Sequence, residues 1–277
     1  MKTSNKLISI GITVLFLGMI AFLSTAKNAI IPRSELQNSN GAHEIRYSDQ
    51  DKSVIYKDIG SYSGQILKLS HHHNYILNPN SNLIAIEGPS YIVNELTLTD
   101  DSNIFEIPKY IKRETSDRNT NKENYDYIKE VLTINIGVAD KETLTIAADK
   151  SSVISSSDTL SINSINLSLS DYSSCTATIV CNELSIDLKT KAQAQLSGES
   201  DHVKVNARNS SSVISADMKM KEIEIHLDGS SSLTLDKLEK ISGIMSDRTM
   251  VQLTKEIDIS KVLIEDSAKI IFGKSEK

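Results

Sequence analysis

From Ile66 onward the chain alternates apolar and polar residues with period two, in short runs that read ILKL, YIL, NLIAIEG, NELTLTD and NIFEI. Asn, Pro, Asp and Ser break the runs, which is the signature of half-buried strands bounded by turns. A charged, apolar-poor stretch, residues 112–127, interrupts them and predicts a long surface loop. Strand pattern resumes at EVLTINIGV and continues to IIF near residue 272.

The pentapeptide SSVIS occurs at residues 151–155 and again at 211–215. Two further copies lie between them. Aligning one apolar residue per copy gives Val153, Cys175, Ala194, Val213, Leu233, Val251 and Ile270, with steps of 22, 19, 19, 20, 18 and 19. Four positions earlier stand Asp149, Asp171, Thr190, Asn209, Gly229, Asp247 and Asp266. Most are types that tolerate a left-handed backbone or bond back onto a turn, so each copy is expected to begin at a tight corner. Two positions before the apolar column, Ser151, Ser173, Ala192, Ser211, Ser231, Thr249 and Ala268 are all small, as stacked inner corners require.

Upstream of each corner a second strand carries alternate apolar residues: Ile165, Leu167 and Leu169; Leu184, Ile186 and Leu188; Val203, Val205 and Ala207; Ile223, Ile225 and Leu227. The pattern weakens at residues 241–245 and 260–264, and Leu144 with Ile146 sits one residue out of step. A period of about 20 residues with two short strands, a turn residue at each corner and almost no helix pattern predicts an all-β chain folded as a parallel β-solenoid, or β-helix. An immunoglobulin-like sandwich gives no reason for a corner column that persists through seven copies. A leucine-rich repeat would need its Leu and Asn ladder.

Organisation follows from the pattern. Residues 1–27 hold LISIGITVLFLGMIAFLSTA (7–26), twenty uncharged residues after Lys2 and Lys6. In a helix this matches the ~30 Å hydrocarbon core of a bilayer. The segment is expected to be a signal-anchor; Ser24-Thr25-Ala26 keeps a cleaved signal peptide as the alternative. No Cys stands beside it, which argues against a lipid anchor. Either way the following chain is expected outside the cytoplasm, in the periplasm or at the cell surface. Residues 28–65 read as a membrane-proximal linker with at most one short strand, IRY or SVIYK, and 66–277 as the solenoid, with the clearest repeats at 149–270.

Composition adds limits. With 39% hydrophobic and 5% aromatic residues and no Trp, the core must be built from Ile, Leu, Val and Ala. A net charge of −6 with interspersed signs leaves no nucleic-acid footprint. His71-His72-His73 is the sole histidine cluster; alternation lets at most His71 and His73 share a metal, and an exposed polar turn is the preferred reading. Cys175 and Cys181 read as two small buried thiols, held ~20 Å apart by an extended strand unless the chain bends. A disulfide is the alternative.

The stretch from Leu67 to Leu235 resembles the putative auto-transporter adhesin, head GIN domain family of bacterial envelope proteins. The resemblance rests on the opening strand at residues 66–70, the period-two strands up to Tyr110, and the corner-strand units LSGESDHVKVNARNSSSVISADMKMKEIEIHLDGSSSLTL at 196–235. Members typically carry Ser-Gly-Ala-Ser at each corner, whereas only Asp228-Gly229-Ser230-Ser231 keeps the Gly here. The resemblance implies a β-solenoid behind a signal segment, no enzymatic activity and no functional residues to carry over.

Catalytic alternatives need converging side chains. A polysaccharide-acting β-helix enzyme, lyase or hydrolase, would cluster carboxylates on one face. The acids Asp149, Asp171, Asp247 and Asp266 sit at corners, where turn formers are expected, and there is no G-x-S-x-G, phosphate-binding glycine loop or H-E-x-x-H. No catalytic residue and no cofactor is expected. The outward ladders, such as Asn166 with Ser168, or Glu222, Glu224 and His226, could bind a glycan or a protein, or serve an envelope scaffold or sensor. The expected function is adhesion or envelope interaction without catalysis.

Overall fold

The computed structural model describes residues 53–96, 103–108, 110–113 and 124–273. The segment 7–26 lies outside them, and among the described residues no helix is long and apolar enough to cross a membrane. What is described is a parallel β-solenoid whose strands join one 17-stranded sheet.

The regular stack runs from β9 (Thr143–Ala148) and β10 (Val153–Ser156) through β11 (Leu160–Ser161), β12 (Ser164–Leu169), β13 (Ser174–Leu188), β14 (Gln193–Ala207), β15 (Ser212–Leu227), β16 (Ser232–Met245) and β17 (Met250–Leu253) to β18 (Val262–Ile264) and β19 (Lys269–Phe272). Each coil pairs in parallel with the next, as in Leu184↔Val203↔Ile223↔Ile241 and Cys175↔Ala194↔Val213↔Leu233. The inward residues expected from alternation are all buried, from Ile165 to Leu227. Neighbouring coils bury each other's apolar edge, so stability is shared along the stack.

Corners are built by pairs of left-handed residues. His71-His72, Lys150-Ser151, Asp171-Tyr172, Thr190-Lys191, Asn209-Ser210 and Gly229-Ser230 all have φ between +50° and +72°, and Asp247 and Asp266 begin the last two corners. A non-Gly residue pays about 1–2 kcal/mol in this region. Hydrogen bonding offsets that cost, because from His71-His72 to Asn209-Ser210 the second amide of the pair donates to the next corner's carbonyl, as in Ser151 N to Asp171 O at 2.9 Å, Tyr172 N to Thr190 O at 3.1 Å and Lys191 N to Asn209 O at 3.0 Å. The small inner residue that follows also has a polar task. The hydroxyls of Ser152, Ser173, Ser211 and Ser231 each donate at 2.6 Å to the carbonyl three residues back.

The register differs from the sequence expectation in one copy. Ile154, not Val153, pairs with Cys175 and fills the apolar column, and the corner residue is Lys150, not Asp149. The inner small residue there is Ser152 rather than Ser151. The two SSVIS copies therefore present opposite faces: Val153 is 46% exposed and Ile154 buried, whereas Val213 is buried and Ile214 is 44% exposed. With the copy moved by one residue, Leu144 and Ile146 pair with Ile165 and Leu167 and are in step.

The other end is a cap. β2 (Ile66–Leu69) and β3 (Asn74–Asn78) form the first coil and stack on β9 and β10, seventy-odd residues later: Leu69↔Ala148 and Tyr75↔Ile154. Between them the chain leaves the stack through β4 (Leu83–Pro89), a single turn α1 (Ser90–Val93), β5 (Ile104–Glu106), β6 (Tyr110–Arg113), β7 (Asn124–Tyr127) and β8 (Thr133–Gly137). β5 covers β2 and β8 covers β3, both parallel, while β4 lies antiparallel on β8. SVIYK belongs to β1 (Val54–Ser61), which closes this side antiparallel to β4. At the edges of the 112–127 stretch β6 and β7 pair antiparallel, and the expected loop between them, 114–123, lies outside the described residues.

Candidate functional site

The outward side chains form three ladders. The face upstream of the corners is charged. Its columns run Ser164, Glu183, His202, Glu222, Lys240 and Asn166, Ser185, Lys204, Glu224, Ser242. Opposite charges face each other across coils, Lys240 to Glu222 at 2.5 Å and Lys204 to Glu224 at 3.6 Å, and His202 Nδ1 lies 3.6 Å from Glu222. Lys240 beside Glu222 holds that carboxyl below its usual range. A shallow concavity of about 400 Å³ lies over Asn166, Glu183, His202, Lys204 and Glu224. A second charged strip pairs Lys219 with Glu199 at 2.9 Å and Lys221 with Asp201 at 2.6 Å.

The face downstream of the corners is different. Two outward columns run along nine strands: Thr133, Asn74, Val153, Ser174, Gln193, Ser212, Ser232, Met250, Lys269, and Asn135, Ile76, Ser155, Thr176, Gln195, Ile214, Thr234, Gln252, Ile271. Lys269, at the last coil, is the one charge among these eighteen, and at the opposite end β4 and β1 continue the columns with Glu87 and Tyr56, and with Ala85 and Asp58. Hydroxyls at its border bond along the stack, Thr178 to Ser197 at 2.9 Å.

Two of the four corner acids bond across coils. Asp171, Asp247 and Asp266 stand at left-handed positions, and Asp149 lies one residue ahead of its corner. Asp247 Oδ2 accepts the Gly229 amide at 2.9 Å, and Asp266 Oδ2 accepts the Asp247 amide at 3.3 Å. Asp247 and Asp266 thereby fasten one coil to the next, and the four corner acids stand on separate coils, one per corner, with no acid–base pair of the kind hydrolysis needs at hand.

The histidine corner is buried, which corrects the exposed-turn expectation. His71 and His73 point to one side with ring centroids 6.4 Å apart and are 8% and 1% exposed, while His72 faces solvent. His73 stands where other coils keep a small residue. Its Nδ1 accepts the Leu132 amide at 3.3 Å, so the ring proton sits on Nε2, which has no partner among the described residues. A ring held in that tautomer has no free lone pair for a metal. Among the described residues no three His, Cys, Asp or Glu side chains are grouped to hold a metal ion. Burial, with His71 and His72 nearby, lowers the His73 pKa to about 4.

Cys175 and Cys181 are both buried and free. Burial pushes the Cys175 thiol up to about 12, and Cys181 is raised for the same reason despite its contact to Ser200 Oγ at 3.4 Å. Neither is a nucleophile, since reactivity follows the thiolate. The neutral face is what sequence reading missed. Its signal was available as uncharged residues, polar with a few apolar, at nearly every outward position after the corner.

Fold and ladders together define a parallel β-solenoid that presents long flat side-chain arrays. Residues 67–255 match the putative auto-transporter adhesin, head GIN domain, and the chain belongs to that family. Solved structures with the same fold include a putative adhesin from Bacteroides fragilis, 13% identical, with a TM-score of 0.59 over 80% of this chain and 96% of that one. Another is a putative adhesin from Parabacteroides merdae, 8% identical, with a TM-score of 0.59 over 81% and 98%. A third is a putative lipid binding protein from Parabacteroides distasonis, 13% identical, with a TM-score of 0.55 over 82% and 98%. No curated protein matches the sequence.

Proposed function

We propose that this protein is a non-enzymatic, extracytoplasmic adhesion or envelope-interaction platform, tethered through residues 7–26. The observation that carries the reading is the continuity of the outward ladders: a repeated surface supports many weak contacts in series, whose avidity grows with the length engaged. Asp247 and Asp266 hold amides, and Cys175 and Cys181 are buried thiols with raised pKa, which favours the surface as the working part. Family membership supports the same reading.

The test is retention of the full chain, in detergent, on an array of glycans, matrix proteins and envelope components. Saturable binding to at least one is expected, with no turnover of any retained polysaccharide. Absence of binding across the array would remove the adhesive reading, and release of shortened glycan would restore an enzyme. The tether is checked separately: an intact Met1 in the membrane fraction is expected, whereas a mature N-terminus at Lys27 would show a cleaved signal.

A further inference from the structure

We propose that the uncharged face downstream of the corners binds a neutral linear polysaccharide lying along the solenoid axis. This rests on the adhesive reading above and assigns it a surface and a ligand class. Three observations carry it.

The first is charge. Between Asp58 and Glu87 at one end and Lys269 at the other, the sixteen outward positions on the eight strands from β8 to β17 carry no charge, in a chain that is 24% charged overall, where about four would be expected. The charged faces of the same coils satisfy themselves through ion pairs across strands. A neutral array offers no counter-charge to an anionic polymer, whose desolvation would go uncompensated.

The second is shape. Nine strands at ~4.8 Å make a flat strip about 38 Å long, and two outward residues per strand make it roughly 10 Å wide. That is on the order of 400 Å², about half the ~800 Å² per partner of a standard protein interface. It is too narrow for a second copy to dimerise stably and suits a single extended chain. The ~4.8 Å rise is close to the advance of one pyranose along such a chain.

The third is chemistry. Hydroxyls and amides of Ser174, Thr176, Gln193, Gln195, Thr234 and Gln252 can donate to and accept from sugar hydroxyls. Val153, Ile214, Met250 and Ile271, exposed by 46%, 44%, 40% and 45%, supply apolar ground for the C–H faces of the rings.

The experiment is co-sedimentation of the full chain with insoluble neutral glucan and chitin and, in parallel, retention on immobilised polygalacturonate. Thr176→Glu with Gln195→Glu charges the middle of the strip, Ile214→Glu with Gln252→Glu charges it elsewhere, and Lys204→Ala with Glu224→Ala alters only the opposite face. Each changes exposed or half-exposed side chains, and the melting temperature verifies folding. Neutral polymer is expected to sediment the parent chain, with affinity reduced at least about tenfold by either glutamate pair and kept by the alanine pair. Unchanged binding in both glutamate pairs, loss through the alanine pair, or retention on polygalacturonate alone would overturn the proposal. A dimer seen by sedimentation velocity and abolished by the glutamate pairs would overturn it too, because the face would then be a self-interface. In each of these cases binding to another array component leaves the adhesive reading standing.

Discussion

The regular stack and the N-terminal cap solve the same problem, covering the apolar edge of a coil, in different ways. In the stack the neighbour of each strand arrives after about twenty residues, in parallel and in register, as in β13 against β14. In the cap the neighbour of β2 and β3 arrives only after an excursion through β4 to β8, part of it antiparallel. Local repetition builds one region and long-range closure the other. The stack is therefore a chain of nearest-neighbour interfaces, while the cap is one unit whose contacts span 79 residues, from Leu69 to Ala148.

Core truncation separates the two most strongly. Leu188→Ala, fully buried in mid-stack, and Ile134→Ala, fully buried on β8, should each cost about 3–5 kcal/mol in urea unfolding. Their reach should differ. Native-state hydrogen exchange is expected to show Leu188→Ala weakening β12 to β14, and Ile134→Ala weakening β3, β4 and β8 while β15 and β16 keep their protection. Equal loss everywhere in both variants would make the molecule one cooperative unit and end the comparison.

The same contrast explains what the sequence disclosed. The stack is legible because its inward triplets, left-handed corners and small inner residues recur, and from Ile165 to Met245 every inward expectation lands on a buried residue or a glycine. Gly243 is that glycine, at φ +128°, where an added Cβ would lie 1.9 Å from the Ile225 carbonyl oxygen. The single register error has a physical cause: Ser can be either the second left-handed residue or the inner one, so identical letters at 151–155 and 211–215 fit two frames. Leu144 and Ile146, four-residue spacing from Ala148 to Ser152 included, carried the correct frame. The cap was illegible because nothing local ties His73 to Leu132 or Leu69 to Ala148; those contacts come from closure alone.

Acid should sharpen the contrast next. His73 belongs to the cap's corner, buried and neutral with a pKa lowered to about 4 from 6.5. The unfolded chain then binds more protons than the folded one between these values, so stability is full above about pH 6.5 and falls as pH drops toward 4. The loss is on the order of 2 kcal/mol. Denaturant midpoints at pH 7 and pH 4.5 read it, and His73→Ser, which restores the residue type of the other corners, should flatten this part of the slope. A slope identical in His73→Ser would move the acid sensitivity elsewhere.

The corner hydroxyls give the smallest effect and the finest test. Ser231 in the stack donates to the Asp228 carbonyl at 2.6 Å while buried to 1% exposure. Ser231→Ala removes that bond but keeps the volume nearly unchanged, and Ala192 and Ala268 already occupy the same position in other coils. The carbonyl retains the Ser231 backbone amide at 3.2 Å, so the acceptor is not orphaned. The expected cost is therefore about 1 kcal/mol, not the larger penalty of an unsatisfied buried group. Lys150→Gly works in the opposite direction at the junction of cap and stack: φ is +52° there, and glycine relieves a strain of about 1 kcal/mol, partly offset by its greater freedom when unfolded. Urea midpoints of the two variants should move apart from the parent in opposite senses. If Ser231→Ala were as costly as Leu188→Ala, the corner and not the apolar column would set the stability of the stack.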